Sequence, residues 1–456
     1  MLKVAMIMMP AWNIEEPPIA TAYLGNFLKT KNCAVDIFDC NIDLYKNSPA
    51  HKRYLFEGNR FQSWHPQDKF ESIIKKELNT DFFLKKWTDR IIASESAVLC
   101  FSTYYSNYIL SMLLAEALKE KDPGRVIIFG GPQASRHEKA QEFIAKDYID
   151  LVVCGEGEMT LVAIIEALNG ERNFKDIKGI IYKINGEIFD NGTPDIEDID
   201  KIPFPTFDGF LLEDYTKKML PILASRGCIN WCKFCAAKPL WSQYRFRKAE
   251  SILEEMTYLK KRYNIEQFDI LDALINGNIK ELDRMCELLL AAKTKVYWGG
   301  KAVVRPEMTR KFLHKMYDAG CRWLSYGIES GSPRVIKAMG KTFDTKLAIR
   351  VLRDTCQAKI AVSTFFIVGF PGETRWDFIK TLWFIIRNRR HIGSISSGQK
   401  CGIPANSLLF READKYGIRF ENGDWYSPGN SPREREARHR IFKFVNQMMC
   451  LNIVHS

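Results

Sequence analysis

No apolar run in this 456-residue chain reaches the ~18 residues that would suggest a membrane-spanning helix. The apolar start from Val4 to Pro10 is short and has no small-residue cleavage site after it, so it reads as a first buried strand. Low-complexity segments are lacking, and so are internal repeats beyond a βα rhythm. Glycine (28) and proline (18) are ordinary, and with 46% hydrophobic and 27% charged residues the chain is neither collagen-like nor largely disordered. What is left is a folded protein long enough for two or three domains, at roughly 150 residues each.

The net charge of +11 invites an anionic partner. The basic clusters are modest, however. They lie at Arg387 to Arg390 and at Arg433, Arg435, Arg438 and Arg440, the second set interleaved with Glu at helical spacing. A solvated face is the simpler reading, so nucleic acid is not expected as a partner, and without a spanning run neither is a membrane. Cysteine, by contrast, is plentiful. Twelve cysteines without a secretion signal indicate a reducing compartment, here taken as the cytoplasm, where thiols pack, react or bind metals. Nine are scattered and read mostly as packing residues; Cys228, Cys232 and Cys235 form the tightest group.

Over residues 1–192, short apolar runs alternate with helical patterns. Val4 to Met8, Val35 to Phe38, Val98 to Phe101, Val126 to Phe129 and Leu151 to Val153 read as buried strands. Helices fit between them, giving a doubly wound parallel sheet of Rossmann-like type. Its ligand-facing strand ends would be Met9-Pro10, Ser102-Thr103-Tyr104, Gly130-Gly131-Pro132 and Gly155-Glu156-Gly157. Asn185-Gly186 predicts a closing hairpin. Pro194, Pro203 and Pro205 among acidic residues mark 193–218 as an extended linker. Over 219–400 a second series gives six βα units, three quarters of an eight-fold barrel, with the active site expected at the C-terminal strand ends. Residues 401–456 read as a cap over that mouth.

The segment Ser225-Arg226-Gly227-Cys228-Ile229-Asn230-Trp231-Cys232-Lys233-Phe234-Cys235 follows the first strand of the second series. Three thiolates on one short loop suit a soft metal centre. Structural zinc would want a fourth Cys or His in a matching pair, and neither neighbouring segment supplies one. A four-iron cluster on three thiolates leaves one iron open.

The spacing C-x-x-x-C-x-x-C, with Phe234 before the third cysteine, resembles the signature of the radical S-adenosylmethionine (SAM) superfamily. The resemblance implies a [4Fe-4S] cluster on Cys228, Cys232 and Cys235, with SAM chelating the open iron and yielding a 5'-deoxyadenosyl radical on one-electron reduction. The string Tyr326-Gly327-Ile328-Glu329-Ser330 is similar to the family's ribose-contacting segment, and Gly369-Phe370-Pro371-Gly372-Glu373 to the one beside adenine. Asp272 stands where the family often contacts the methionine amino group, although the usual Gly-Gly-Glu string is absent. The implied SAM residues are therefore Tyr326, Gly327, Glu329, Ser330, Gly369, Pro371, Glu373 and Asp272. No catalytic residue beyond the cluster ligands is assigned.

A doubly wound domain ahead of such a barrel resembles the cobalamin-binding branch of the superfamily, as do Ile128-Phe129-Gly130-Gly131-Pro132-Gln133-Ala134-Ser135, Val153-Cys154-Gly155-Glu156-Gly157-Glu158, Pro203-Phe204-Pro205 and the Ser-Arg-Gly before Cys228. The resemblance covers about residues 1–400. It implies cobalamin contacts at Ser102, Tyr104, Asn107, Gly130, Gly131, Pro132, Gln133, Ser135, Gly155, Glu156, Gly157 and Glu158. No Asp-x-His-x-x-Gly string exists, so the implied cobalamin is base-off without a His ligand. The implied reaction is radical methylation of an unactivated carbon or of phosphorus in a small-molecule or peptide substrate, with flavodoxin or ferredoxin as reductant. A non-methylating ring formation or rearrangement and a tRNA methylthiotransferase-like reaction are the alternatives. The latter would want a second cysteine triplet in the first domain, and Cys33, Cys40, Cys100 and Cys154 sit too evenly in predicted strands and their edges for one.

Overall fold

The computed structural model describes residues 2–134, 137–196, 198–236, 241, 243–421, 423–449 and 452–453. They form two compact units that divide between Pro221 and Ile222.

In the first unit, β1 (Lys3–Met8), β2 (Ala34–Asp39), β3 (Val98–Ser102), β4 (Val126–Gly130) and β5 (Leu151–Val153) are parallel, in the order β2-β1-β3-β4-β5. The apolar runs are continuous because both faces of the sheet are covered. Alternate residues of each strand enter different cores. Ala5, Ile7, Leu99 and Phe101 join one, and Val4, Met6, Val98 and Cys100 join the other. The predicted hairpin is β6 (Ile180–Ile184) and β7 (Glu187–Asp190), turning through Asn185 (φ 52) and Gly186 (φ 84). It pairs antiparallel to β5 and leaves β7 as an exposed edge. The chain runs outward from β1 to β2 and then to β3 on the other side, so the topological switch point, where such sheets bind ligands, lies between β1 and β3.

Two features depart from the sequence reading. Between β2 and β3 the chain builds two helices, Cys40–Asn47 and Thr80–Ala93, joined by 3-10 turns and a short helical stretch from Gln67 to Leu78 and anchored by the fully buried Trp64 and Trp87. The 193–218 segment is also no free linker, because it belongs to the first unit. Asn26 Nδ2 donates to Phe204 O at 2.6 Å, the Tyr215 hydroxyl donates to Asp39 at 2.5 Å, and Thr216 N donates to Ile14 O at 3.0 Å. Burial of Phe207 and Phe210 adds the apolar adhesive that a Pro- and Asp-rich reading overlooks.

From β8 (Leu220–Ile222), which straddles the division, the chain leads through β9 (Ser225–Arg226) and β10 (Arg245–Phe246), an antiparallel pair that frames the cysteine loop of the second unit. Then follow β11 (Gln267–Ile270), β12 (Tyr297–Ala302), β13 (Cys321–Glu329), β14 (Ala361–Val368) and β15 (Ser394–Lys400). A small hairpin of β16 (Arg419–Glu421) and β17 (Asp424–Tyr426) and the short β18 (Asn452–Ile453) complete the strands. The sheet order is β8-β11-β12-β13-β14-β15-β18, with parallel pairing from β11 to β18. Six βα-type strands are present as expected, and β18, which the sequence reading does not place, pairs with β15. The helices Ala249–Tyr263, Ile279–Ala292, Arg310–Asp318, Thr345–Gln357 and Arg375–Asn388 fall where their 3.6-residue apolar periods put them. Among the described residues, no helix is long and apolar enough to cross a membrane.

Candidate active site

The cysteine loop is fixed at several points. Arg247 N bonds back to Ala224 O at 2.8 Å beside the β9–β10 pairing, and Lys233 N bonds to Met339 O at 3.0 Å. From the C-terminal segment, Leu409 N donates to Lys233 O at 2.7 Å, while Lys233 Nζ pairs with Glu412 at 2.8 Å. Phe234 packs against the core of Val335, Met339, Phe370, Cys401, Leu409, Ile418 and Trp425. Residues of the 401–456 segment thus bond to and pack against the cysteine loop within the second unit.

All three cysteines are partly buried. Cys232 is pushed up to about 11, first by burial and then by Cys235, Glu329 and Cys228, with Lys341 pulling the other way. The three thiols thus lie within electrostatic reach of one another and of a buried ion pair. Among the described residues no three His, Cys, Asp or Glu side chains converge on a point for one ion. A four-iron cluster needs no such point, since each thiolate takes a different iron.

That ion pair is Glu329–Lys341, at 3.0 Å, with side chains only 9% and 6% exposed. Its geometry comes from the end of β13. The ladder to β14 shifts register between Gly327 and Glu329, and Glu329 has φ 66, the left-handed region that non-glycine residues rarely occupy. The bulge re-aims the carboxylate. Lys341 Nζ also donates to Gly327 O at 3.0 Å and stands 5.6 Å from the Phe234 ring centroid. A Cβ on Gly327 would come within 2.7 Å of Glu329 Oε1 and 3.0 Å of Lys341 Nζ, so this glycine makes room for the pair. Burial opposes the charge on Lys341, but Glu329 and Cys232 outweigh it and hold the ammonium above the ordinary lysine range. The structure therefore puts a permanent cation beside the three thiols, a residue that the sequence reading missed.

The remaining residues expected at SAM are mostly engaged in bracing the strand ends. Asp272 is fully enclosed and pushed up to about 7 by burial, against hydrogen bonds from Ser225 Oγ (2.6 Å) and Ala224 N (2.9 Å), the residues leading into the cysteine loop. The Tyr326 side chain turns into the helix layer, with its hydroxyl 2.9 Å from Thr355 Oγ1. Ser330 Oγ contacts Thr381 Oγ1 and accepts from Ser332 N. Glu373 accepts from Gly369 N at 2.8 Å and pairs with Arg438 at 3.3 Å, and burial pushes it up to about 7. Pro371 is buried in the same turn. One further group was missed. Tyr244, just after the loop, has a buried hydroxyl beside Ser225 and Asn278 and near Asp272 and Cys228. Cys401 and Trp425 lie in the cap core, Arg435 sits 3.7 Å over the Trp425 ring, and the Trp425 indole donates to Cys401 O.

The first unit has its own strand-end cluster. Asn107 ties it together: Oδ1 accepts from Tyr104 N at 2.7 Å, and Nδ2 donates to Met9 O and Ser102 O. Thr103 N and Oγ1 both bond to Gly130 O at 2.7 Å, and Gln133 N bonds to Thr103 O. Gly131 has φ 94, and a Cβ there would meet Thr103 N and O at 2.8 Å, so only glycine lets the β4 loop close on the β3 loop. Pro132 and Gly155 are half-buried on the surface of these turns, Gly157 caps the helix Glu158–Leu168, Glu156 is half-buried and Glu158 is buried. Ser135 lies outside the described residues. At the switch point the Trp12 and Tyr104 rings are 4.1 Å apart. His65 stacks near Tyr105 and Tyr108 with a buried, unpartnered Nδ1, and burial lowers its basicity. Cys33 and Cys100 face one core, while Cys40 and Cys154 pack with the other, so the sheet itself separates these thiols.

The Radical SAM superfamily model matches residues 222–385, which contain the cysteine loop and the Glu329–Lys341 pair. Residues 222–385 are a radical SAM domain. The fold is that of solved cobalamin-dependent radical SAM proteins. Similarity to the radical enzyme OxsB with aqua-cobalamin bound has a TM-score of 0.72 at 16% identity, covering 98% of this chain and 72% of that one. Similarity to the methyltransferase TsrM from Kitasatospora setae with cobalamin and [4Fe-4S] cluster bound has a TM-score of 0.69 at 14% identity, covering 92% and 79%. Among curated proteins, the uncharacterized methyltransferase PH0819 of Pyrococcus horikoshii is 29% identical over 59% of this chain and 60% of its own length. The cytidylyl-2-hydroxyethylphosphonate methyltransferase of Streptomyces wedmorensis is 26% identical over 55% and 53%. The chain thus spans little more than half the length of these curated relatives.

Proposed function

We propose that this protein is a cobalamin-dependent radical SAM methyltransferase acting on an unactivated carbon or phosphorus centre. The observation that carries the reading is the loop of three mutually influencing thiols, held beside a buried Glu–Lys pair and a buried Tyr hydroxyl at the strand ends of a radical SAM domain. Cys228, Cys232 and Cys235 would hold a [4Fe-4S] cluster, and Glu329, Lys341 and Tyr244 would offer polar contacts to SAM. The strand-end loops of the first unit, Ser102 to Asn107, Gly130 to Ser135 and Gly155 to Glu158, would hold cobalamin base-off. His51 is exposed, and the His65 ring lies tilted against Tyr105 and Tyr108. When bound, the cluster supplies one electron to SAM and cobalamin carries a methyl group. The chain's own residues do the rest. Asp272 anchors the approach to the cysteine loop, Glu373 with Arg438 ties the β14 end to the C-terminal helix, and the apolar cluster around Trp425 packs on Phe234 of the cysteine loop.

A small-molecule or peptide substrate, a one-electron reductant of flavodoxin or ferredoxin type and a cytoplasmic location complete the proposal. A ring-forming outcome is the second reading, favoured by similarity to the anaerobic magnesium-protoporphyrin IX monomethyl ester cyclase of Synechocystis, at 26% identity over 58% of this chain. Separation of the first unit's cysteines onto two cores speaks against a methylthiotransferase with a second cluster there. The test is anaerobic incubation of the reconstituted protein with methyl-labelled SAM and a reductant. Formation of 5'-deoxyadenosine that is lost in Cys232→Ala, with label retained on the cobalamin fraction, supports the reading. Equal cleavage in wild type and variant defeats it.

A further inference from the structure

The helix Arg375–Asn388 is apolar on two sides. Its inner face, including Phe378, Phe384 and Ile385, is buried, with Phe384 packed on Phe366 of β14. Its outer face is exposed and carries Trp376 (73%), Ile379 (37%), Trp383 (54%) and Ile386 (38%). These positions follow one another at helical spacing over about 15 Å of helix length. The helix Pro432–Met448 contacts this one, and its Phe442 packs on the same Phe366. It adds an exposed stripe of Ile441 (49%), Phe444 (62%) and Met448 (71%). Exposed apolar stripes on two helices in contact with each other are unusual for a chain surrounded by water on all sides, where large exposed patches mark an interaction site.

Charge selects the occupant. Around the tryptophans stand the exposed Arg375, Lys380, Arg387, Arg389 and Arg390, and Lys443 stands on the second helix. The acids nearby are spent: Asp377 is buried, Glu434 accepts from Ser431 N, and Glu436 pairs with Lys400 and Arg440. Arg387 lies 5.5 Å from the Trp383 ring centroid. Amphipathic tryptophan bodies rimmed by cations, with no uncompensated acid, suit the boundary between anionic headgroups and acyl chains. The expectation of no membrane partner rested on the lack of a spanning run, which says nothing of a chain lying on the surface.

We infer that the paired outer faces of helices Arg375–Asn388 and Pro432–Met448 dock on an anionic lipid bilayer. The chain binds peripherally, with the indoles of Trp376 and Trp383 in the interface and the arginines on the headgroups. The test is flotation of the full-length, cofactor-loaded protein with vesicles of phosphatidylcholine alone or containing phosphatidylglycerol. Binding is expected only to the anionic vesicles, weakening as salt rises. The variants Trp376→Ser/Trp383→Ser and Arg387→Glu/Arg390→Glu should each lower the affinity at least about tenfold while leaving the melting profile and iron content unchanged. Absence of binding to anionic vesicles overturns the inference. So does vesicle binding that both variants retain, or a wild-type dimer in solution that both variants convert to monomer, since the face would then be a contact between copies.

Discussion

Replacing Glu329 by Gln leaves the Lys341 ammonium in a site where both side chains are less than a tenth exposed. Removing one partner of a buried ion pair costs about 3–5 kcal/mol, because the other charge stays desolvated and uncompensated. At roughly 2–4 °C per kcal/mol for a unit of this size, the melting transition of the second unit should fall by about 6–20 °C. Lys341→Met, which strands the carboxylate instead, should cost a similar amount, and Glu329→Leu/Lys341→Met should cost far less than the two losses added together. The assay is urea unfolding of the metal-free chain, with limited proteolysis reporting which unit opens. As a control, Glu266→Gln at the exposed Lys260–Glu266 pair should leave the transition in place. Because Lys341 lowers the Cys232 pKa, Lys341→Met should also slow alkylation of Cys232 at pH 8 in the metal-free chain. Additive losses, or a Glu329→Gln change of under about 0.5 kcal/mol, would refute the buried-pair argument.

Three further outcomes follow from the packing. Glu373 rises from 4.5 to about 7 in the fold, which favours the protonated form; the stability it contributes is complete below pH 4.5 and is lost as pH rises towards 7. That loss is on the order of 3 kcal/mol, and Glu373→Gln should flatten the dependence in unfolding series at pH 4.5 to 7.5. Gly131→Ala should cost the first unit about 2 kcal/mol or more, since the added Cβ meets Thr103 backbone at 2.8 Å, whereas Gly130→Ala, whose nearest neighbour is 3.7 Å away, should be mild; pulse proteolysis ranks them. Gly398→Ala would place a Cβ 2.1 Å from Phe442 Cε1 and should cost about 1–3 kcal/mol, seen as faster amide exchange over 432–448.

The strands were readable because most are continuous buried apolar runs, and the cysteine loop was readable because its spacing is local. What stayed hidden depends on distance in sequence. Nothing near Lys341 distinguishes it from a surface lysine, and only the bulge at the end of β13, on the far side of the helix Pro333–Ala338, brings Glu329 to it. The bonds of Asp272 to Ala224 and Ser225 span 48 and 47 residues, so its bracing of the cysteine loop was not legible in the sequence. The 193–218 segment looked like a linker because prolines and aspartates mask the anchoring by Phe207, Phe210 and Tyr215. The tryptophan stripe was obscured because the helix carries apolar residues on two faces, and the periodicity that locates the helix does not say which face stays exposed.

The central claim is that this chain holds two metal cofactors, one on each unit. Anaerobic reconstitution with iron, sulfide and hydroxocobalamin, followed by desalting and metal analysis, tests it most directly. The account predicts roughly four iron and about one cobalt per chain, with a base-off corrin spectrum, and loss of the iron alone in Cys228→Ala/Cys232→Ala/Cys235→Ala. Iron retained by that triple variant, or a wild-type chain that retains no cobalt, would contradict it.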